Sequence, residues 1–473
     1  MISLGSIKLN QGIKNLLFVG FAQSISVILG IVRILLLPTL LGISYFGYWQ
    51  VYFLYVAFLG IFALGFNDGI YLKYGKYDYK DLPFGLFRRN IQIFIAMQLV
   101  LSILVYIFVL FEHDINKQFA LTWVVINIPV VGLTGVLIYI YQITNQMKKY
   151  SIYSVIDKVV MIVMVITMIF TDYSDFKILI ILDTVVRLII LFLMVIDCKE
   201  LFLGEKVAFK NAFPEYFDNI RVGINLLLAN LVGMLILGYG RILLERTSSI
   251  EVFSTYSFAM STINLVLVMI TSIAVVIYPL LSRYSFEKSK GYFVLINKAI
   301  FIFIPILMGI YFPVEKLIIH KFNEYSGSIV YLPILFVIIY VQSKMQVLIN
   351  NYYKLLRKER ELFKANVIGF ILAIVIITPL YYLTNSVFYI ALGTLIAMYI
   401  RMVLSERYIA GEISNTEKLN CIKEFGVLTI FLLCCYLNLG NLKFIVLIVL
   451  YSILILMNLN FLKEIPRFIR RVD

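Results

Sequence analysis

Apolar runs long enough to cross a lipid bilayer recur along the whole sequence, and this feature limits the fold more than any other. A hydrocarbon core of about 30 Å requires about 20 consecutive apolar residues in a helix. The 473 residues are 62% hydrophobic and only 14% charged, whereas soluble domains are about 25% charged. The sequence therefore predicts an all-α polytopic membrane protein with about fourteen transmembrane helices. The first two form a predicted hairpin, with its turn at residues 41–47.

Lysine and arginine are unequally distributed between the loops on the two sides of the membrane. An even number of helices puts both termini on one side, and the loops of that side, such as residues 73–89 and 354–364, hold most of the basic residues. Because loops rich in lysine and arginine remain in the cytoplasm, we expect both termini to be cytoplasmic. The same loops account for the net charge of +14, so this charge does not indicate nucleic-acid binding.

One long polar connection divides the predicted helices into two sets of six. Sets with an even number of helices enter the membrane in the same direction, as in transporters whose two lobes form a parallel pseudo-repeat around a central cavity. A shift of about 208 residues places Arg33 over Arg241, which supports a weak internal repeat. The predicted divisions are an N-terminal lobe (1–197), a cytoplasmic connector (198–221), a C-terminal lobe (222–410) and a C-terminal helix pair and tail (411–473).

Few charged residues lie deep within the predicted helices, and most of them are basic. A charge at the bilayer centre is costly, so such a residue normally faces a water-filled cavity or a partner. Guanidinium groups offer parallel donors that suit phosphate oxygens. The candidates for a cavity that binds a diphosphate are Arg33, Arg241, Lys344 and Arg187, and the candidates for a gate or for coupling are Asp68, Asp183 and Arg401.

Structural roles compete with binding for several of these residues. Asp183 and Arg187 are four residues apart on one helix, a spacing that allows a salt bridge between them. Arg241 and Glu245 have the same spacing, and Arg241 is near enough to a helix end to reach the outer interface. Arg33 has no acidic residue at this spacing. It is therefore the strongest candidate for contact with a substrate.

The sequence contains no recognisable catalytic or cofactor motif. It has no Walker A loop, no HExxH zinc motif and no nucleophile elbow. Its four cysteines and two histidines do not have the spacing of metal ligands. We therefore expect no cofactor, no metal and no enzymatic activity, and a primary ATP-driven pump is disfavoured.

Residues 36–76 resemble the start of the polysaccharide flippases, which are the O-antigen and repeat-unit translocases of the MOP exporter superfamily. Two later segments, Tyr278–Arg283 and Asn351–Lys358, are also similar to motifs of this family. In the first stretch the matching features are Leu37-Pro38, Leu41-Gly42, Tyr45-Phe46-Gly47-Tyr48 and Asp68-Gly69-Ile70.

This resemblance implies a flippase in a bacterial cytoplasmic (inner) membrane. Such a protein moves an undecaprenyl-diphosphate-linked oligosaccharide from the cytoplasmic to the outer leaflet by alternating access, for cell-surface polysaccharide synthesis. Arginines in the first helix and in the seventh or eighth helix attract the diphosphate, and Arg33 and Arg241 match these positions. The last two helices of a related lipid II flippase form a groove for the polyprenyl tail, and helices 13 and 14 here are candidates for the same role.

The expected partners are the lipid-linked oligosaccharide, membrane lipids, H⁺ or Na⁺ as a coupling ion, and the polysaccharide polymerase machinery. Two other functions remain open. A cation-coupled, MATE-like multidrug exporter would carry acidic residues in its cavity, whereas the deep charges here are mainly basic. A membrane-embedded polysaccharide polymerase or glycosyltransferase would present charged catalytic loops on the outer face, and the first outer loop here carries no charge.

Overall fold

The computed structural model describes residues 3–75, 77–171, 174–281, 286–413, 421–437 and 442–457. These residues form helices joined by short loops, and no strand occurs among them. Within this part of the chain, 11 helical segments are long and apolar enough to cross a membrane. The predicted all-α polytopic membrane fold is therefore confirmed. Residues 282–283 of the similar segment Tyr278–Arg283 and residues 458–473 of the predicted tail lie outside the described residues.

The helices follow one another with few long connections. Asp114 and Asp175 begin two of them, because each carboxylate accepts a hydrogen bond from a backbone N–H of the first turn. The first eight α-helices are α1 (Ser3–Ala57), α2 (Phe66–Tyr74), α3 (Phe84–Val109), α4 (Ile115–Ile143), α5 (Met147–Phe170), α6 (Phe176–Asp197), α7 (Phe209–Thr247) and α8 (Ile250–Leu281). The others are α9 (Phe286–Met308), α10 (Tyr311–Lys321), α11 (Leu332–Ser343), α12 (Asn350–Leu355), α13 (Glu359–Thr384), α14 (Val387–Glu412), α15 (Cys421–Tyr436) and α16 (Leu442–Met457).

Helix α1 consists of two helices that meet at Gly42, whose φ of 67° and ψ of 173° are not helical. Glycine adopts such a backbone conformation with little strain. The Arg33 guanidinium carbon lies 4.6 Å from the centroid of the Phe53 ring, although a straight helix would place these residues about 30 Å apart. The chain therefore turns back at Gly42, within the turn predicted over residues 41–47. This confirms the predicted hairpin.

The second arm of the hairpin is not the continuous helix that the sequence predicts. A 3₁₀ segment, Leu59–Ala63, follows α1, and then Leu64 and Gly65 have φ values of 51° and 90°. Two successive left-handed residues end a right-handed helix, so α2 begins as a separate element at Phe66.

The number of long apolar segments, 11 among the described residues, is lower than the predicted number of helices, about fourteen, for two reasons. The hairpin counts as the single segment Ser24–Ala63. Helices α15 and α16 have 16 residues each, slightly fewer than the roughly 18 residues expected of a membrane span.

The chain forms two compact units. The first unit comprises Met1–Leu231 and Leu244–Ser257, and the second comprises Val232–Leu243 and Phe258–Asp473. Both α7 and α8 contribute residues to each unit. The lobes predicted from the position of the polar connector, residues 1–197 and 222–410, remain a prediction.

In the first unit, α2 packs directly on the backbone of α7. A Cβ atom on Gly69 would lie 1.9 Å from the Asn219 carbonyl oxygen, and one on Gly223 would lie 2.0 Å from the Gly65 carbonyl oxygen. Only hydrogen atoms fit at these distances, so the two helices need glycine there. The Phe66 ring beside this contact is fully buried, which anchors the start of α2 in the core.

Polar contacts extend the same packing to the end of α2. The Lys73 ammonium lies 2.7 Å from a Glu215 carboxylate oxygen on α7, and the Tyr74 hydroxyl donates to the same oxygen at 2.9 Å. Burial disfavours the charged form of Lys73, but its hydrogen bonds to Asp218 and Glu215 outweigh burial and raise the pKa of Lys73. The ammonium therefore remains charged and holds α2 against α7.

The second unit is built around one almost completely buried rod. It runs from Leu332 to Leu355 and consists of α11, a π-helical segment over Lys344–Ile349, and α12. Helix α11 packs against α9, α14 and α15. The π-helical turn shifts the direction of the side chains that follow, and such turns often occur at functional sites.

Replacing Gly69 or Gly223 with alanine should lower the free energy of unfolding by about 1–3 kcal/mol, because the added methyl group forces the two backbones apart. Gly60→Ala is the matched control, since no atom lies within 4 Å of its Cβ position. Thermal unfolding of the detergent-solubilised variants measures the difference. Equal melting temperatures for all three variants would contradict the direct backbone contact.

Candidate functional site

Arg33 lies on the first arm of the α1 hairpin and is half-buried. Its guanidinium group stacks over the Phe53 ring of the second arm at 4.6 Å. A cation over an aromatic face is stabilised by the ring's quadrupole, which lowers the cost of a charge in this apolar hairpin. A guanidinium group carries N–H donors of the kind that bind phosphate.

Arg241 lies on the part of α7 that belongs to the second unit, and its side chain is buried. Two residues earlier, the Tyr239 hydroxyl is 2.6 Å from Thr378 Oγ1 on α13, which ties α7 to α13. In the first unit, Glu245 lies 2.6 Å from the Lys117 ammonium and accepts a hydrogen bond from the Tyr55 hydroxyl. The spacing of four residues makes Glu245 a possible salt-bridge partner of Arg241. In the structure the Glu245 carboxylate binds Lys117 and Tyr55.

Asp183 and Arg187 form the predicted salt bridge on α6, with 2.7 Å between Arg187 Nε and Asp183 Oδ2. The same oxygen accepts a hydrogen bond from the Tyr52 hydroxyl at 2.6 Å. Next to it, the buried Asn127 amide donates to Thr184 Oγ1 and to the Tyr52 oxygen. This network joins α1, α4 and α6, so it supports a structural role for the pair more than direct binding of a phosphate.

Lys344, at the start of the π-helical segment, lies between two glutamates. Its ammonium is 2.6 Å from Glu406 on α14 and 2.6 Å from Glu424 on α15. The three side chains are 0%, 0% and 1% exposed, and we call them the Lys344 cluster. Because two carboxylates already balance the ammonium, this geometry disfavours the diphosphate-binding role predicted for Lys344.

Arg401 on α14 is 4% exposed and lies in the second unit. Its Nε and Nη1 atoms donate to no acceptor among the described residues. Gly369 on α13 makes room for the side chain, since a Cβ there would lie 2.8 Å from Arg401 Cδ. A buried guanidinium with unused donors is costly to stability, so its presence favours a functional role.

Asp68 lies in the first turn of α2 and is 5% exposed. It accepts a hydrogen bond from the Tyr139 hydroxyl of α4 at 3.3 Å. The positive end of the helix dipole stabilises a carboxylate at this position. This placement agrees with a residue at a helix end, and the gate role stays a prediction.

The sequence does not single out Glu406 and Glu424, because both are near the ends of largely apolar helices. It indicates Glu245 only as a possible partner of Arg241, and it does not show that Glu245 binds Lys117. Glu245 and Lys117 are also near the ends of their helices. They line a cavity of about 820 Å³ in the first unit, together with Tyr55, His113 and Arg246. Helix periodicity alone does not show which end residues turn inward.

A family described as "Polysaccharide biosynthesis protein" matches residues 13–285. A comparison with curated proteins found no match.

Several solved structures have a similar fold. "Lipid II flippase MurJ, inward closed conformation" matches with a TM-score of 0.70 at 18% identity, over 94% of this chain and 99% of that one. An inward-facing multidrug resistance MATE family transporter of the MOP superfamily matches with a TM-score of 0.58 at 12% identity, over 82% and 100% of the two chains. A third structure, "Reverse polarity of binding pocket suggests different function of a MOP superfamily transporter from Pyrococcus furiosus Vc1 (DSM3638)", matches with a TM-score of 0.52 at 13% identity, over 86% of this chain and 97% of that one.

Asp183→Asn should lower the free energy of unfolding by about 1–3 kcal/mol, because Arg187 and Tyr52 lose a charged acceptor in a largely buried network. Glu361→Gln is the control, since the Glu361–Lys364 pair is also within one helix but has side chains that are 33% and 66% exposed. Loss of that exposed pair should cost less than about 1 kcal/mol. Thermal unfolding in detergent measures the loss of stability in each variant. A larger loss in Glu361→Gln than in Asp183→Asn would show that the Asp183 network is not structural.

Proposed function

The chain belongs to the polysaccharide biosynthesis protein family, and from this premise we propose that it is a lipid-linked oligosaccharide flippase. It moves an undecaprenyl-diphosphate-linked repeat unit from the cytoplasmic to the outer leaflet by alternating access, for cell-surface polysaccharide synthesis. The family match over residues 13–285 is the observation that carries this proposal. The fold shared with a lipid II flippase over 94% of the chain supports it.

Buried and half-buried arginines occur in both units, and they favour a substrate that is an anion. Arg33 is half-buried in the first unit and stacks on Phe53, while Arg241 and Arg401 are buried in the second. A diphosphate carries several acceptor oxygens, and guanidinium groups bind such oxygens with two parallel hydrogen bonds. We assign the diphosphate to Arg33 and Arg241, as the family resemblance implies, and leave Lys344 to the Lys344 cluster.

The alternative of a multidrug exporter receives less support. Such a protein needs acidic groups that are available to a cationic drug. The buried carboxylates of Glu406, Glu424 and Glu245 each already bind a lysine ammonium. The matching MATE transporter also has a lower TM-score, 0.58 against 0.70 for the lipid II flippase.

We place the protein in the bacterial cytoplasmic membrane with both termini cytoplasmic, driven by H⁺ or Na⁺, and associated with membrane lipids and with the polysaccharide polymerase machinery. Helices α15 and α16 are proposed to hold the polyprenyl tail. Apolar side chains such as Ile448 and Leu456 on α16 are exposed, and a polyprenyl chain is an apolar partner for them.

Replacing Arg33 and Arg241 together with alanine should abolish surface display of the polymer while the amount of protein in the membrane stays normal, because the diphosphate loses its binding groups. Arg360→Ala, which removes an exposed arginine at the start of α13, should leave display unchanged. Immunoblots of polymer and protein measure the two quantities. Normal display in the double variant would contradict the assignment of these arginines.

Arg401→Met should raise thermal stability and lower polymer display. The methionine side chain is unbranched and similar in length, and it buries no N–H donors, whereas Arg401 buries two without acceptors among the described residues. Replacing a buried charge by an apolar group is often neutral or stabilising by about 1–4 kcal/mol. Melting temperature and display are measured on the same variant. A lower melting temperature would show that the Arg401 guanidinium has a structural role in place of a functional one.

A further inference from the structure

One face of the buried rod in the second unit is polar. From Leu332 to Tyr353 every residue is buried except Gln342, Gln346 and Asn350, which are partly exposed. These three residues follow one another at a spacing of four, and each carries a side-chain amide. The next position at this spacing, Lys354, is exposed as well. We call Gln342, Gln346 and Asn350 the amide stripe.

The π-helical segment helps to align the amide stripe. Residues four apart in an α-helix are displaced by about 40° around the axis at each step. Gln346 lies inside the π-helical segment Lys344–Ile349, and Asn350 follows this segment directly. A π-helix has more residues in each turn, so each residue rotates less around the axis. The smaller rotation offsets the displacement and keeps the three amides close to one line, about 12 Å long.

The amide stripe does not hold helices together. Gln342 Oε1, Gln346 Oε1 and Asn350 Oδ1 accept no hydrogen bond from the described residues. By contrast, the adjacent Asn351 amide is buried and donates to the Ala274 carbonyl oxygen of α8 at 3.1 Å. Hydrogen bonds of this kind between helices are the usual role of amide side chains in membrane proteins. The oxygens of the stripe are therefore left for water or for a ligand.

The amide stripe lies at the depth of the membrane. The segment Leu332–Leu355 is long and apolar enough to cross a membrane, and Gln342 is near its middle. An amide that faced lipid at this depth would lose the hydrogen bonds that water provides, and such a loss is costly. Partly exposed amides here therefore indicate a polar space beside the rod.

The chemistry of the amide stripe fits a neutral ligand that is rich in hydroxyl groups. An amide offers two N–H donors and a carbonyl acceptor, and a hydroxyl group both donates and accepts. Rotation about the last side-chain bond exchanges the amide oxygen and nitrogen, so each amide can meet either kind of partner. The stripe carries no charge, whereas a diphosphate is bound more strongly by cationic groups. A sugar chain repeats hydroxyl groups along its length and so matches a row of amides.

We propose that the amide stripe binds sugar hydroxyl groups of the lipid-linked oligosaccharide. This inference rests on the proposed flippase function, and it adds a sugar site to the diphosphate site assigned to Arg33 and Arg241. A hydroxyl that donates to an amide oxygen of the stripe removes the cost of an acceptor without a donor. The stripe therefore favours a lipid diphosphate that carries sugars over one that carries none.

Binding of two probes to the purified full-length protein in nanodiscs tests the amide stripe. One probe is the lipid-linked oligosaccharide that accumulates in a strain lacking the gene, and the other is undecaprenyl diphosphate, which carries no sugar. The wild type should bind the first probe at least about tenfold more tightly. The triple variant Gln342→Met, Gln346→Met, Asn350→Leu should lose this preference and bind undecaprenyl diphosphate as the wild type does. Asn323→Leu, which removes an exposed amide elsewhere in the second unit, should retain the preference.

The melting temperature of the triple variant should equal or exceed that of the wild type, because acceptors without donors are removed. A preference for the sugar-bearing probe that persists in the triple variant would overturn the proposal, and so would a wild type that does not distinguish the probes. A lower melting temperature, or an equal loss of affinity for both probes, would assign the stripe a structural role in place of sugar binding. A wild type that binds neither probe would instead refute the proposed flippase function.

Thiol labelling gives a second measurement that does not need the triple variant. Gln346→Cys should react with a membrane-impermeant maleimide more than the unmodified protein does. The lipid-linked oligosaccharide should protect this cysteine, and undecaprenyl diphosphate should not. Met345→Cys is the matched control and should stay unreactive, because the Met345 side chain on the same rod is 0% exposed. A Gln346→Cys variant that does not react, or that both probes protect equally, would overturn the proposal.

Discussion

The cost of placing charge in an apolar environment governs the arrangement of both units. An ionised side chain away from water needs a partner of opposite charge, a hydrogen-bond network or a functional reason. Most buried charges here have the first two. Asp183 and Arg187 bind each other and the Tyr52 hydroxyl, Glu245 binds Lys117, and Lys344 binds two glutamates. The Tyr52 hydrogen bond, the Glu245–Lys117 pair and the Lys344 pairs join separate helices, so these charges help to fix the helix packing.

Arg33 is stabilised by an aromatic ring. Arg401 departs from this pattern, because its Nε and Nη1 groups donate to no acceptor among the described residues. Such groups reduce stability unless something else selects for them. Under the proposed function, a substrate with phosphate oxygens would supply acceptors for the Arg401 guanidinium group.

Close backbone packing gives a physical meaning to the motif that carries the family resemblance. Gly42 allows the hairpin to turn, because its φ is 67°. Gly69, in the Asp68-Gly69-Ile70 segment, allows α2 to contact the α7 backbone at Asn219. In a membrane, where lipid is as apolar as the side chains, small residues at helix contacts are a main source of packing energy. The glycines of the motif are therefore explained by the turn and by close helix packing. Asp68 precedes Gly69 in the first turn of α2, so the packing of α2 on α7 also fixes its position.

The sequence by itself determined the membrane class, the approximate helix positions, the turn of the first hairpin and the Asp183–Arg187 pair. These follow from short-range rules: apolar run length, the 3.6-residue period and a spacing of four residues. Only the tertiary structure decided that Lys344 is held by Glu406 and Glu424, which are 62 and 80 residues away along the chain. It also decided that Arg401 is buried beside Gly369. Such partners come from separate helices, and no local pattern encodes which faces of distant helices will meet.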